Sequence, residues 1–236
     1  MNASVQPRGE SLVRQAMQAV TGHIREQSLR VGDSLPGEGH FAASLGVSRA
    51  VMREAFGALA ALNLIEVANG RKPRVAALDG SVIAASLDHA VSTAQVSVAQ
   101  VWDVRRTIEV RTAMLAAEHR TEAEAAALLT LVEAMAEEVN DGRQATVHDV
   151  AFHQLIAQAS RNALFQQIVS SFAELMEVAV PAAWETRETR AERATTLERH
   201  RAVARAIAER DPDAARVAME THFDASIGDI LAGLSR

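Results

Sequence analysis

At 236 residues, with 48% hydrophobic side chains and no cysteine, the chain is long enough for two modest domains and excludes disulfides and thiolate metal sites. No run of about 18 apolar residues is present to span a bilayer, and Met1–Gly9 lacks the apolar core of a signal peptide, so a soluble cytoplasmic protein without a membrane partner is expected. The net charge of −6 is uneven: residues 1–76 hold nine Lys/Arg against six Asp/Glu, and the rest hold fifteen against twenty-four, which suits a basic module for a polyanion joined to an acidic one.

Leu12, Ala16, Ala19, Val20 and Ile24 recur at helical spacing and predict a first helix from about Glu10 to Gln27. Turn formers fill Leu29–Gly37, and a short helix is expected from about Glu38 to Leu45. Gly46 supplies a left-handed turn, Val47 fills the corner, and Ser48 caps a helix running from Arg49 to about Leu62. This is the pattern of a helix-turn-helix. Arg49 and Arg53, four residues apart, share an exposed face, while Val51, Ala55, Leu59 and Leu62 are expected to point inward. Two guanidiniums on the first turns of such a helix suit base edges and phosphates in a major groove. Two β-prone stretches then flank Asn69-Gly70 and predict a hairpin wing, with Gly70, Arg71 and Lys72 at its tip as further DNA contacts. Pro73 is expected to confine the second strand to an edge.

The domains are therefore placed at 1–76 and 82–236, with 77–81 as linker. The fold class is mainly α, with an N-terminal winged helix-turn-helix and a C-terminal all-α antiparallel bundle. A helix over Val98–His119 should bury Val101, Val104, Ile108, Leu115 and Ala116. Thr121-Glu122-Ala123-Glu124 is a capping box opening a helix that ends near Asn140-Asp141-Gly142. Further helices are expected from about Thr146 to Ser160, Ala163 to Ala179 and Arg187 to Arg210, and Asp211-Pro212 opens the last, which runs to about Leu234.

Within this bundle Asp149 and His153 lie four apart on one helix face, and His200 and His222 sit on the two final helices among apolar neighbours. One carboxylate and three imidazoles suit zinc, nickel, manganese or iron with positions left open. Spacing alone leaves open that each histidine is a separate core or surface residue. If Arg105 faces inward it needs an anion, either the Glu109 side chain or a bound acid, whereas Arg106 suits a solvated face. The Arg187, Arg190, Arg193, Arg199, Arg201 and Arg205 series, with Glu188, Glu192 and Glu198, is expected to be a salt-bridged exposed face.

These runs together resemble the GntR family of bacterial transcription regulators, in the FadR-type branch with an all-helical FCD effector domain. The resemblance rests on Ser34-Leu35-Pro36-Gly37-Glu38 through Leu45-Gly46-Val47-Ser48-Arg49 to Leu64-Ile65, on Val104-Arg105-X-X-Ile108-Glu109, on Asp149-X-X-Phe152-His153-X-X-Ile156 with Ser160-Arg161-Asn162, and on Glu198-X-His200 and Met219-X-X-His222. It implies that Asp149, His153, His200 and His222 ligate a divalent metal, zinc first, and that Arg105 helps hold the carboxylate of an effector. Asn162 is expected to cap the following helix. Two positions depart from the family: Gly39 stands where relatives commonly carry arginine, and Lys72-Pro73 replaces a second wing glycine.

The expected function is a homodimeric, ligand-responsive regulator of double-stranded operator DNA, a repressor released by a small organic or sugar acid, and not an enzyme. Alternatives are a sensor whose signal is the metal itself, a structural metal, and a metal-dependent hydrolase. No general base or nucleophile stands beside the four ligands to support the last.

Overall fold

The structure, a computed structural model, describes residues 11–138, 142–186 and 189–234. The chain forms two compact units, residues 1–82 and 83–236. Among the described residues no single helix is long and apolar enough to cross a membrane.

In the first unit, helix α1 (Leu12–Glu26) is capped by Ser11, whose hydroxyl accepts from Arg14 N at 3.3 Å. Helix α2 (Glu38–Leu45) stops at Gly46, whose φ of +66° is left-handed. A Cβ there is strained, so Gly46→Ala is expected to lower stability by about 1–2 kcal/mol, measured by urea unfolding. Ser48 then caps helix α3 (Arg49–Ala61) by accepting from Val51 N at 3.2 Å. The buried stripe of α3 is Met52, Ala55, Phe56 and Leu59, packed on Ala16, Val20, Leu35, Phe41 and Ile65. One inward expectation for α3 needs correcting: Leu62 is 45% exposed, whereas Val51, though only partly buried, packs against the core. Leu62 is the C-cap, beyond the last turn, so the helical period no longer aims it at the core.

Strands β1 (Ile65–Glu66) and β2 (Arg74–Val75) form the antiparallel wing, with Ile65 opposite Val75 and Glu66 opposite Arg74. The edge position expected for β2 is not observed, because Ser34 bridges to Arg74 from the other side. Val75 N donates to Asp33 O at 3.0 Å, and Leu35 N donates to Pro73 O at 2.8 Å. Pro73 precedes the strand and contributes only its carbonyl, so its missing donor interrupts no ladder.

The second unit is all helix: α4 (Ser81–Ser92), α5 (Val98–His119), α6 (Glu122–Glu137), α7 (Gly142–Ala159), α8 (Ala163–Ser170), α9 (Ala173–Glu185), α10 (Arg190–Ala208) and α11 (Pro212–Leu234). Helix α11 packs along α5, α9 and α10, and α7 packs against α5, α6 and α9. Asp211 opens α11 as expected, accepting from Ala214 N at 2.9 Å. Asn162 caps α8 through Leu164 N and Phe165 N. The single helix expected over Ala163–Ala179 is broken instead. Phe172 N turns back to Val169 O, the Ser171 hydroxyl donates to Ile168 O, and the chain bends by 46° before α9 runs on through Pro181 to Glu185. Helix α7 begins at Gly142 rather than Thr146, and α10 begins at Arg190 behind a Thr189/Glu192 capping box rather than at Arg187. The helix end expected at Asn140-Asp141, along with Arg187 and Glu188, lies outside the described residues.

Thr121 and Glu124 form the expected capping box on α6, and Glu124 also accepts from Arg161 of the α7–α8 turn at 2.7 and 2.5 Å. The Arg161 hydrogen bond comes first among the causes that hold the Glu124 carboxyl at about 2, against 4.5 ordinarily. A carboxylate depressed in the folded state stabilises fully above its unfolded value and loses that contribution as pH falls through the folded one. Glu124→Gln is therefore expected to destabilise at pH 7, with the difference from wild type shrinking between about pH 4.5 and 2 in urea titrations.

Candidate nucleic-acid interface and buried histidine cluster

In the first unit the expected DNA-contacting residues Ser48, Arg49, Arg53, Gly70, Arg71 and Lys72 are all exposed. Arg49 and Arg53 extend from the first turns of α3, where the helix dipole adds positive potential. Arg53 stands 3.8 Å from Glu38 and remains 79% exposed, so that ion pair does not occupy it. The Arg49 guanidinium lies over Gly39, with Nη2 4.0 Å from where a Cβ would stand. The missing side chain at 39 thus leaves room in front of α3 for Arg49. At the wing, Gly70 takes a left-handed φ of +73°. Arg71, Lys72 and Arg74 line a notch of about 320 Å³ with Glu66 and Ala68. Cations on a recognition helix and a wing form a surface for a polyanionic duplex.

In the second unit, helix α5 turns a mixed face inward. Val101, Trp102, Ala113, Ala116 and Ala117 are buried, but so are Arg105 and Glu109, whereas Val104 is 50% exposed and Ile108 and Leu115 only partly buried. The apolar residues of this helix do not mark its core side, because a mutually neutralised Arg–Glu pair occupies two inward positions. Arg105 Nε donates to Glu109 Oε1 at 2.7 Å. Its guanidinium lies 5.0, 5.5 and 5.8 Å from the ring centres of Trp102, Phe223 and Phe172, and Nη1 rests on Met176 Sδ. Arg106 is the surface arginine of the two, bound to Asp224 at 2.6 and 3.0 Å.

Behind Glu109 the three histidines of α7, α10 and α11 converge. One ring nitrogen from each of His153, His200 and His222 lies within 4.8 Å of the others, and all three residues are buried. Asp149 accompanies them, with Oδ1 2.9 Å from His200 Nε2. The three histidines therefore form one cluster, with Asp149 beside it through His200, and no other described histidine joins them. Together they wall a cavity of about 20 Å³, lined also by Trp102, Val180, Trp184 and Ile230 and by the hydroxyl-bearing residues Thr196 and Ser226. Arg105 is not among its walls. Sequence reasoning missed Trp184, Thr196, Ser226 and Ile230, since no spacing rule joins the end of α9 to α10 and α11.

Three details show that this donor set fits a divalent cation. His200 Nδ1 lies 3.0 Å from the Thr196 carbonyl, which can only accept, so Nδ1 carries a proton, and Nε2 is left facing the Asp149 oxygen at 2.9 Å. Two lone pairs at 2.9 Å need a proton or a cation between them, and donors about 2.0–2.2 Å from one ion stand roughly 3 Å apart. His222 Nδ1 is buried with no hydrogen-bond partner, an arrangement that proteins otherwise avoid. Burial and the adjacent His200 and His153 rings push His222 well below the ordinary imidazole range, which keeps it neutral at pH 7 and able to ligate.

The carboxylates are prepared as well. Burial would raise Asp149, but the His200 hydrogen bond and the charges of the surrounding imidazoles outweigh it and hold this group well below the usual range. Burial would likewise raise Glu109, and Arg105 and His153 more than offset it. His153 Nδ1 stands 2.5 Å from Glu109 Oε2, but its ring N–H is not aimed along that line and makes no hydrogen bond.

Comparison with known proteins agrees with both units. Residues 12–75 match the gntR family of bacterial regulatory proteins, and residues 100–225 match the FCD domain. The chain is 30% identical over 218 residues to the HTH-type transcriptional regulator LutR of Bacillus subtilis, covering 89% of this chain and 96% of that protein. It is 28% identical to the HTH-type transcriptional repressor NanR of Salmonella newport, over 85% and 78% of the two chains. The solved structure of Streptococcus agalactiae GntR aligns over 90% of this chain and 98% of its own, with 26% identity and a TM-score of 0.63. These relatives are transcription regulators and not enzymes. A helix-turn-helix with a cationic wing, followed by an FCD-type helical bundle, thus places this chain in the GntR family of bacterial DNA-binding transcription regulators.

Proposed function

We propose that the chain acts as a homodimeric repressor on a pseudo-palindromic operator, in the cytoplasm, and is released by a small organic or sugar acid bound at a divalent metal. Asp149, His153, His200 and His222 would hold the ion, with zinc first and nickel, manganese or iron as alternatives. The observation that carries this reading is the convergence of three buried histidines, two of them with a nitrogen that makes no hydrogen bond, beside an ionised carboxylate. A divalent ion with three neutral imidazoles and one carboxylate retains one positive charge, which in a buried cavity favours an anionic ligand. The same logic gives double-stranded DNA as the partner of Arg49, Arg53, Arg71 and Lys72, with Ser48 and Gly70 shaping the backbone they extend from. Ligand and DNA need only differ in affinity for two arrangements of the dimer, with a coupling of about 1–3 kcal/mol.

A second reading, in which the metal is itself the signal, is favoured by the size of the cavity. About 20 Å³ admits one water or ion and not an organic acid unless a wall moves. Thermal unfolding with metal or chelator, against a panel of organic and sugar acids, separates the two. An acid that stabilises only the metal-loaded chain supports the effector reading. Stabilisation by metal to which no acid adds supports the metal signal.

A further inference from the structure

We infer that Glu109 is the outer carboxylate that fixes the ring of His153 for metal binding, and that Arg105 is a positioning residue that holds Glu109 there. This rests on the metal reading above and assigns roles that the ligand set does not contain.

Both oxygens of Glu109 face a basic side chain. Oε1 accepts from Arg105 Nε at 2.7 Å, and Oε2 lies 2.5 Å from His153 Nδ1. The two acidic and basic side chains are almost fully buried, at 1% and 3% exposure. Guanidinium only donates, so the Glu109 oxygen facing it is an acceptor, and the 2.5 Å approach of the other oxygen favours a proton over a lone pair on His153 Nδ1, although the ring N–H is not aligned on it as a hydrogen bond. Nε2 is then the unprotonated nitrogen, which is the form a divalent ion requires. An i,i+4 ion pair serving stability alone has no need to place its second oxygen on a histidine of another helix. Arg105, in turn, is caged by Trp102, Phe172, Phe223 and Met176. Among the described residues Glu109 is its only ion-pair partner. Its charge reaches the cluster through Glu109, one layer behind the cavity wall.

The test uses the full chain, labelled with ¹⁵N-histidine, and zinc as the probe. In the metal-free wild type, long-range ¹H–¹⁵N spectra are expected to show His153 protonated at Nδ1, assigned by loss of the signal in His153→Gln. In Glu109→Gln the amide oxygen stays on Arg105 and the NH₂ faces His153, which drives the ring proton to Nε2. Zinc affinity, from chelator competition, should then fall by roughly 10–100-fold. Arg105→Met should follow Glu109→Gln, while Arg105→Lys, which keeps a cation on Glu109, should recover most of the affinity. Equal zinc affinity in wild type and Glu109→Gln, or an unprotonated Nδ1 in the wild type, overturns the role of Glu109 alone. A wild type that binds no divalent metal overturns the metal site and this inference with it. If Glu109→Gln does not fold, the wild-type protonation pattern decides.

Discussion

Replacing His222 with leucine is expected to abolish stabilisation by metal and, in chelator, to leave the chain as stable as wild type or more so. The wild type at a metal concentration 100 times its dissociation constant should gain roughly 2.7 kcal/mol, about 5–10 °C in melting temperature for a unit of this size. The gain requires ligand atoms that leucine lacks. The second half of the expectation follows from the buried, unpartnered Nδ1 of His222. An unsatisfied polar atom in the interior costs about 1–3 kcal/mol, and an apolar group of similar volume removes that penalty. His200 differs, because its ring is bound to both Thr196 and Asp149. His200→Leu should lose the metal increment and also destabilise the metal-free chain, by stranding Asp149. Calorimetry of the three proteins with zinc and with chelator distinguishes these outcomes. If both substitutions destabilise equally and zinc still stabilises each, the cluster is an ordinary core and the metal assignment fails.

Arg49→Ala should weaken specific operator binding by about 1–3 kcal/mol, or 5- to 150-fold. Arg49 stands at the first turn of α3 with its guanidinium over Gly39, free of any ion pair among the described residues. Its loss should also relax sequence preference, as removal of a base contact does. Arg71→Ala and Lys72→Ala on the wing should weaken specific and non-specific DNA alike, each reducing the salt slope by about one. Gly39→Arg adds a cation where Arg49 now lies and should displace it, shifting operator preference rather than only raising affinity. Fluorescence anisotropy across a salt series, with operator and scrambled duplexes, measures all four. Unchanged operator affinity in Arg49→Ala would remove that residue from the interface.

The local rules were legible where one short segment holds both partners. Ser48, Thr121, Asn162 and Asp211 could be read as caps because a cap and the amide it binds lie two or three residues apart. Gly46 was legible for the same reason, since a left-handed turn depends on one residue's own backbone. The metal-ligand candidates were legible as residue types, but their convergence was not. Residues 149, 153, 200 and 222 lie on three helices, and any rotation of one helix by a quarter turn would separate them. Resemblance supplied that grouping where spacing could not.

The sequence by itself determined the modules and their chemistry: a cationic helix-turn-helix and wing, an acidic helical unit, and donors suited to a borderline metal. Tertiary structure alone decided which face of α5 points inward, that β2 is flanked on both sides, and that Ala163–Glu185 is two helices. It also decided that Arg105 is occupied by Glu109 and that the cavity is ion-sized. The physical reason is common to all of these. A buried charge is tolerated only beside its partner, a strand is central only if a distant segment reaches it, and a cavity exists only between helices. Each depends on contacts between residues far apart in the chain, which no local propensity encodes.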